Sequence, residues 1–238
     1  MKACEGAQQK GIREKLKVKA LFLDFDGVTV DTEVMYFRLL QKVGSRHQLD
    51  FPLEGYVHHI GKYKSPEVLG KLCGCPEMGA TLREEWSREL DSMTSALPLR
   101  PGVRDYLERG RALDLKTALV SACPKNRLQQ LLSFADQRLF DRIFSAEDVV
   151  QAKPHPEVYR LSLRTFGLAP QQALAFEDSP NGVMAAKAAG IPCIIVESDI
   201  TKNAPFGLEQ MKIPSMDAVP LDILLHQTSM DAVPPHAK

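Results

Sequence analysis

The stretch ALFLDFDGVTVDTE (residues 20–33) joins a short apolar run to three closely spaced aspartates. The run of four apolar residues is too short for a helix and predicts a buried β-strand. Asp24, Asp26 and Asp31 follow that strand. Carboxylates crowded at the end of a buried strand repel one another unless a cation lies among them. The stretch therefore predicts a charged site where a central strand ends.

The composition of the chain is that of an ordinary globular protein. Its 238 residues are 44% hydrophobic and 25% charged, and 30 Lys and Arg residues balance 30 Asp and Glu residues. This balance gives no electrostatic reason to expect a nucleic acid or an anionic membrane as partner. No apolar run approaches the roughly 20 residues that a membrane-spanning helix needs. We therefore predict no nucleic-acid partner and no membrane association.

The N-terminal segment and the cysteines predict a cytoplasmic location. Residues 1–19 are polar and basic and lack the apolar centre of a secretory signal. The five cysteines are scattered along the chain, and an odd, scattered set is typical of a reducing compartment. Cys73 and Cys75 have no matching Cys or His pair at a zinc-like spacing, so a metal role for them is disfavoured.

Further short apolar runs alternate with helical patterns in the second half of the chain. Strand-like runs lie at 116–122, 142–146, 173–178 and 192–198, and helical patterns lie at 124–135, 156–167 and 181–190. Strands that alternate with helices predict a parallel sheet that is covered by helices on both faces. Three of the loops also place a proline (Pro124, Pro156 and Pro180) where the first residue of a helix is expected.

Residues 33–98 differ from the rest, because they show helical periodicity and many charges but no strand-like run. Two prolines and a glycine at 97–103 indicate where the chain returns from this insert. The predicted fold class is α/β, a Rossmann-like parallel-sheet core domain with an inserted helical cap domain. The expected boundaries are 17–32 and 99–228 for the core, 33–98 for the cap, and 1–16 and 229–238 for peripheral tails.

Polar side chains follow the first four predicted strands, near their carboxyl ends. They are Asp24, Asp26, Ser121, Lys153, Glu177 and Asp178. Because the carboxyl ends of parallel strands share one edge of a sheet, these side chains should converge there. Four carboxylates around one lysine need a cation, and an all-oxygen ligand set suits Mg²⁺. Mg²⁺, a lysine and helix N-termini together make a site best matched to phosphate.

Such a site has the groups that phosphoryl transfer requires. A carboxylate that faces phosphorus can act as nucleophile and form an aspartyl phosphate. A second carboxylate can protonate the leaving oxygen and then activate water. Residues two apart on an extended strand point the same way, so Asp24 and Asp26 should flank one reacting centre. Each feature alone has an ordinary explanation, such as a turn or a helix cap, and only their combination indicates a site.

Four motifs together resemble those of the haloacid dehalogenase (HAD) superfamily. They are DFDGVTVDTE, LVSA with Ser121, AKPHPE with Lys153, and FEDSPNGVMAAKAAG. In the third motif Ala152 stands where the family commonly has Gly. The resemblance covers about residues 19–197, and the insert between the first two motifs resembles the C1 cap of the β-phosphoglucomutase-like subgroup.

The resemblance implies a role for each matched residue. Asp24 would be the nucleophile and Asp26 the general acid and base, while Lys153 would steady Asp24 and hold phosphoryl oxygens. The metal set for Mg²⁺ would be Asp24, Asp26 through its backbone carbonyl, Asp178, and Glu177 as a ligand or its support. The expected substrate- and phosphate-binding residues are Ser121, Ala122, Lys153, Gly27 and, in the cap, Lys62. Asp31 and Thr32 would lie at the hinge to the cap.

The presence of Asp26 favours phosphoryl chemistry, because dehalogenases of this superfamily lack the second aspartate and need no Mg²⁺. A mutase remains an alternative, since IGKYKSPEVL (60–69), with Lys62 and Lys64, resembles the basic cap loop of the mutases. Those mutases tend to carry a histidine where this chain has Tyr36, so simple hydrolysis is favoured. A non-catalytic binding protein on the same scaffold is the second alternative. We predict a monomeric, Mg²⁺-dependent phosphatase acting on a small-molecule phosphate ester such as a sugar phosphate.

Overall fold

The computed structural model describes residues 17–57, 65–93, 96–202, 204, 206 and 211–230. The strands are β1 (Ala20–Leu23), β2 (Lys116–Val120), β3 (Arg142–Phe144), β4 (Ala173–Glu177), β5 (Cys193–Val196) and β6 (Met211–Ile213). The α-helices are α1 (Thr32–Arg46), α2 (Leu53–Val57), α3 (Pro66–Leu72), α4 (Gly79–Asp91), α5 (Val103–Ala112), α6 (Lys125–Leu131), α7 (Phe134–Gln137), α8 (Glu157–Phe166), α9 (Pro180–Ala188) and α10 (Leu221–Met230). Within this described part, none of the helices is long and apolar enough to cross a membrane.

The six strands form one sheet in the order β3-β2-β1-β4-β5-β6, and all neighbouring pairs are parallel. This arrangement confirms the predicted α/β fold with a parallel sheet. Each of the five predicted strands is present. The sixth, β6, was not predicted, because its three residues do not form a recognisable apolar run. The strand order reverses between β1 and β4, and ligands bind at such a switch point in open α/β sheets.

The central strand β1 is buried on both faces, which explains its continuous apolar run. Leu21 and Leu23 point into a cluster that α5 and α10 cover, whereas Ala20 and Phe22 point into a cluster covered by α8 and α9. Full burial of a leucine or phenylalanine side chain contributes about 1.5–3 kcal/mol. A polar residue inside this strand would therefore be costly, and the charged residues begin only where it ends.

Helices α1 to α4 share a separate apolar cluster centred on Tyr36 and Trp86. Those two rings meet edge to face, with centroids 5.5 Å apart. Ile200, from the loop after β5, also packs into this cluster. The outgoing and returning chains pair where Val30 bridges Leu99. The cluster fits the predicted helical insert, while the exact domain boundaries remain a prediction.

The local helix predictions need two corrections. The pattern at 124–135 forms two helices, α6 and α7, because Leu132 adopts an extended conformation and Ser133 starts a new helix. The Ser133 hydroxyl accepts a hydrogen bond from the Asp136 N–H at 3.1 Å. Pro180 is the first residue of its helix as predicted, but Pro124 and Pro156 each precede theirs by one residue.

The predicted cap loop lies largely outside the described residues. Lys62 and Lys64 fall in 58–64, so the predicted substrate contact of Lys62 lies outside the described residues. The predicted N-terminal tail (1–16) and residues 231–238 also lie outside the described residues. Residues 229–230, which were placed in the C-terminal tail, form the end of α10.

Candidate active site

The polar residues predicted at the strand ends meet at the carboxyl edge of the sheet. The Asp24 N–H donates to the Phe176 carbonyl at 3.0 Å, which continues the ladder between β1 and β4 beyond the strand. The Ser121 N–H makes the same kind of bond to the Phe144 carbonyl at 2.9 Å. These backbone bonds hold the start of each polar loop against its neighbouring strand.

Lys153 lies at the centre of the site with its side chain 4% exposed. Its ammonium group donates to Asp24 Oδ1 at 2.9 Å, to Glu177 Oε1 at 2.6 Å and to the Val120 carbonyl at 2.8 Å. An ammonium has three protons, so these bonds use all of them. Burial opposes the charged form, but Asp24 and Glu177 outweigh burial and raise the pKa of Lys153 above its usual value.

The carboxylates of the site experience more negative charge than Lys153 offsets. Burial and the charge of Glu177 raise the pKa of Asp24 to about 7, although Lys153 opposes this rise. Burial, followed by the charges of Glu33 and Asp24, also raises the pKa of Asp178 well above its usual value. Elevated pKa values in both groups indicate a site that needs further positive charge.

Two buried oxygens point to where that charge would lie. Glu177 Oε2 and Asp178 Oδ2 have no hydrogen-bond partner among the residues that the structure describes. Asp24, Glu177 and Asp178 each offer an oxygen within 4.8 Å of the others. Buried carboxylate oxygens without partners are costly unless a cation binds them. An all-oxygen set of this kind fits a hard divalent cation.

Two glycines make room for the unpartnered oxygens. Gly27 has a φ of +72°, and a Cβ built there would lie 1.7 Å from Asp178 Oδ2. In α9, a Cβ at Gly182 would lie 1.9 Å from Glu177 Oε2. Real atoms do not approach this closely, so each position excludes a side chain. Gly27 is among the residues that the sequence analysis places at the site, whereas the need for glycine at 182 was not predicted.

Asp26 is half-buried and is held by the first residue of α1. The Thr32 hydroxyl, at the start of α1, donates to Asp26 Oδ1 at 2.6 Å. The Asp26 carboxylate is not part of the three-residue oxygen cluster, which leaves its backbone carbonyl for the predicted metal contact. Thr29 supports the same loop, since its hydroxyl donates to the Asp24 carbonyl at 2.6 Å. Asp31 is exposed and directly precedes α1.

Ser121 and Ala122 lie in the loop that follows β2. Ser121 is buried, and its hydroxyl accepts from the Cys123 N–H at 2.9 Å. This bond fixes the turn and leaves the hydroxyl proton available to a phosphoryl oxygen. Ala122 is exposed at this edge of the sheet. Their predicted role in phosphate binding remains a prediction.

Several residues near the site were not predicted from the sequence. Arg100 donates to the carbonyls of Gly27 and, at 2.7 Å, Glu197, which ties two loops of the site together. The hydroxyl of Tyr159 donates to Glu177 Oε1. In the cap, the hydroxyl of Tyr56 donates to Glu33 at 2.9 Å. No motif marks these contacts, because they join positions far apart in the chain.

Comparison with known proteins gives a family match and several relatives. Residues 21–196 match the family model described as haloacid dehalogenase-like hydrolase, which confirms the predicted resemblance. "Putative phosphatase YhcW" of Bacillus subtilis is 34% identical over 219 residues, covering 87% of this chain and 96% of that protein. Hexitol phosphatase B of Escherichia coli K12 is 29% identical over 215 residues, covering 84% and 93%.

The fold also matches solved structures. The crystal structure of CbbY from Rhodobacter sphaeroides, in complex with phosphate, has a TM-score of 0.66 and 25% sequence identity. The match covers 84% of this chain and 95% of that chain.

Proposed function

The chain belongs to the haloacid dehalogenase-like hydrolase family, and from this premise we propose that it is a Mg²⁺-dependent sugar phosphatase that works through an aspartyl-phosphate intermediate. It is a phosphoric monoester hydrolase, as its relatives named as phosphatases indicate. The observation that carries the proposal is Asp24, a buried carboxylate held by Lys153 beside two unpartnered buried oxygens. Relatives named for hexitol and carbohydrate phosphates support a sugar phosphate as substrate.

Asp24, Glu177 and Asp178 would hold the cation, together with the backbone carbonyl of Asp26. When bound, Mg²⁺ would supply positive charge that neutralises the phosphoryl oxygens and the crowded carboxylates. Lys153 adds a second positive charge beside Asp24. The hydroxyl of Ser121 and the amides of its loop would bind the remaining phosphoryl oxygens.

In the first step, the Asp24 carboxylate attacks phosphorus, and the bond from phosphorus to the ester oxygen breaks. Asp26 gives its proton to the departing sugar oxygen. Lys153 fixes Asp24 Oδ1, so the carboxylate is oriented before the substrate arrives. The bond from Thr32 holds the Asp26 carboxyl in a single orientation.

In the second step, water attacks the phosphorus of the aspartyl phosphate. Asp26, now a carboxylate, takes the proton of that water, and the bond from phosphorus to Asp24 breaks. The products are inorganic phosphate and the regenerated Asp24 carboxylate. The helical insert would cover the site and exclude bulk water during the first step.

Hydrolysis is favoured over mutase chemistry by Tyr36, which stands where the mutases tend to carry histidine. Tyr36 is buried in α1. Burial and the charge of Asp26 raise the pKa of Tyr36 well above its usual value. A phenol of this kind does not exchange protons near neutral pH as an imidazole does.

The proposal is tested by phosphate release from a panel of hexitol, hexose and pentose phosphates, with Mg²⁺ and with a chelator. We expect Mg²⁺-dependent release from the wild type and none from Asp24→Asn. Asp105→Asn, at an exposed position of α5, serves as the control. Acid quenching with labelled substrate should trap phosphate on the wild-type protein. Glucose 6-phosphate formed from glucose 1-phosphate without free phosphate would establish a mutase instead. Inactivity on the entire panel would favour the non-catalytic alternative.

A further inference from the structure

Tyr159 is a fully buried residue that contacts Glu177 and Lys153 of the site. It lies on α8, outside the strand-end loops, and its side chain is 0% exposed. Its hydroxyl donates to Glu177 Oε1, and its ring faces Lys153 Nζ with 5.1 Å to the centroid. Packing alone would explain a buried aromatic ring at this position. It does not explain the hydroxyl group, which a phenylalanine would lack.

The two oxygens of Glu177 have different surroundings. Oε1 accepts from Lys153 at 2.6 Å and from the Tyr159 hydroxyl. Oε2 is equally buried, but it has no partner in the described part of the chain and faces Gly182. The terminal torsion of a glutamate is broad and roughly two-fold, so its orientation depends on such contacts. Two donors on Oε1 leave Oε2 as the oxygen available to a cation.

We propose that Tyr159 is a positioning residue, which sets cation affinity by directing Glu177 Oε2 towards the cation. This inference rests on the cation in the proposed function. Tyr159 contacts the carboxylates of the site through its hydrogen bond to Glu177 Oε1. Without it, Lys153 alone would hold Glu177, and Lys153 is shared with Asp24 and the Val120 carbonyl.

The surroundings of Tyr159 allow its hydroxyl to be removed separately from its ring. The ring stacks on Phe22, with centroids 6.4 Å apart and an interplanar angle of 27°. Val158 and Leu163 belong to the same apolar cluster. A phenylalanine would keep these contacts and the face presented to Lys153. Tyr159→Phe therefore tests the hydrogen bond without opening a cavity.

Tyr106→Phe is a matched control. Tyr106 is 2% exposed, and its hydroxyl donates to the Val219 carbonyl, away from the carboxylate cluster.

The experiment measures the Kd of Mg²⁺ by calorimetry on the full chain, with thermal unfolding as a check on folding. Partners that orient metal ligands typically change affinity about 10- to 100-fold, so we expect a rise of about tenfold or more for Tyr159→Phe. Tyr106→Phe should bind Mg²⁺ as the wild type does.

A double-mutant cycle separates positioning from a general loss of stability. In a Glu177→Gln background, Tyr159→Phe should cause little further loss of Mg²⁺ affinity, because both changes break the same arrangement. The wild type should also show a tyrosine ultraviolet difference spectrum on Mg²⁺ binding that Tyr106→Phe retains. This measurement does not depend on Tyr159→Phe folding.

Three outcomes would overturn the inference alone. An unchanged Mg²⁺ affinity in a folded Tyr159→Phe would do so while leaving the proposed function intact. If Tyr159→Phe lowered Mg²⁺ affinity equally in the Glu177→Gln background, Tyr159 would act independently of Glu177. The absence of a tyrosine difference spectrum on Mg²⁺ binding would contradict the contact between Tyr159 and the cation site. A wild type that binds no Mg²⁺, and releases phosphate without it, would instead overturn the cation of the proposed function together with this inference.

Discussion

Thr32 and Asp26 join the cap to the reacting centre through one hydrogen bond of 2.6 Å. Thr32 is the first residue of α1, and Asp26 lies in the loop that follows the central strand. Any rotation of α1 relative to the sheet would therefore disturb the proposed acid and base. The bond gives the cap a direct influence on proton transfer, beyond the exclusion of water.

We predict that Thr32→Val lowers kcat by about 10- to 100-fold, because a hydrogen bond to a charged group is worth about 1.5–3 kcal/mol. The loss should be larger for an alkyl phosphate than for an aryl phosphate, whose leaving group needs no proton. Steady-state kinetics on both substrates would measure this difference. Thr165→Val is the control, since the exposed Thr165 hydroxyl donates to the Leu161 carbonyl of its own helix. Equal losses on both substrates would contradict a role through Asp26.

The sequence predicted the strand-end groups of this site because each is adjacent to an apolar run. Asp24 and Ser121 follow buried strands directly, so topology alone brings them together. Tyr159 occupies a buried helical position, where a tyrosine that only packs would look the same. Its bond to Glu177 depends on the crossing of α8 and β4, which no local pattern encodes. Gly182 was missed for the same reason, because its neighbour is a side chain from β4.

We predict opposite effects of Asp178→Asn in the absence and presence of Mg²⁺. Burial and the nearby charges of Glu33 and Asp24 disfavour the Asp178 carboxylate, so the variant should be more stable than the wild type in a chelator. With Mg²⁺ at 100 times its Kd, the wild type should gain about 2.7 kcal/mol and the variant much less. Urea unfolding under both conditions measures these changes. A variant that is less stable in both would contradict the charge argument.

Gly182→Ala should improve the helix and damage the site. Alanine favours a helix interior by about 0.5–1 kcal/mol relative to glycine. However, its Cβ would lie 1.9 Å from Glu177 Oε2, so the carboxylate must move. We expect the Kd of Mg²⁺ to rise about tenfold or more, as measured by calorimetry. Gly110→Ala is the control, because the atom nearest to its Cβ would be the end of the flexible Leu21 side chain, at 3.0 Å. An unchanged Mg²⁺ affinity in Gly182→Ala would refute the predicted displacement of Glu177.

The ion pair between Arg109 and Asp222 should make a pH-dependent contribution to stability. Arg109 binds both carboxylate oxygens, at 2.9 and 2.7 Å, and this bonding lowers the pKa of Asp222 below its usual value. The contribution is therefore fully present above the unfolded pKa of about 3.9, and it is lost as the pH falls through the lower folded value. The two side chains are 32% and 36% exposed, so solvent screening limits the contribution to about 0.5–1 kcal/mol.

Asp222→Asn should accordingly lower the free energy of unfolding by about 0.5–1 kcal/mol at about pH 7 and pH 5, and by less at about pH 3. Urea unfolding of the two proteins at each pH measures the difference. Glu108→Gln is the control, because Glu108 lies 3.9 Å from Arg104 and both side chains are at least half exposed. Glu108→Gln should change the free energy of unfolding little at any pH. A destabilisation by Asp222→Asn that persists unchanged at acidic pH would show that the asparagine disturbs packing around α10 rather than the charge of the pair.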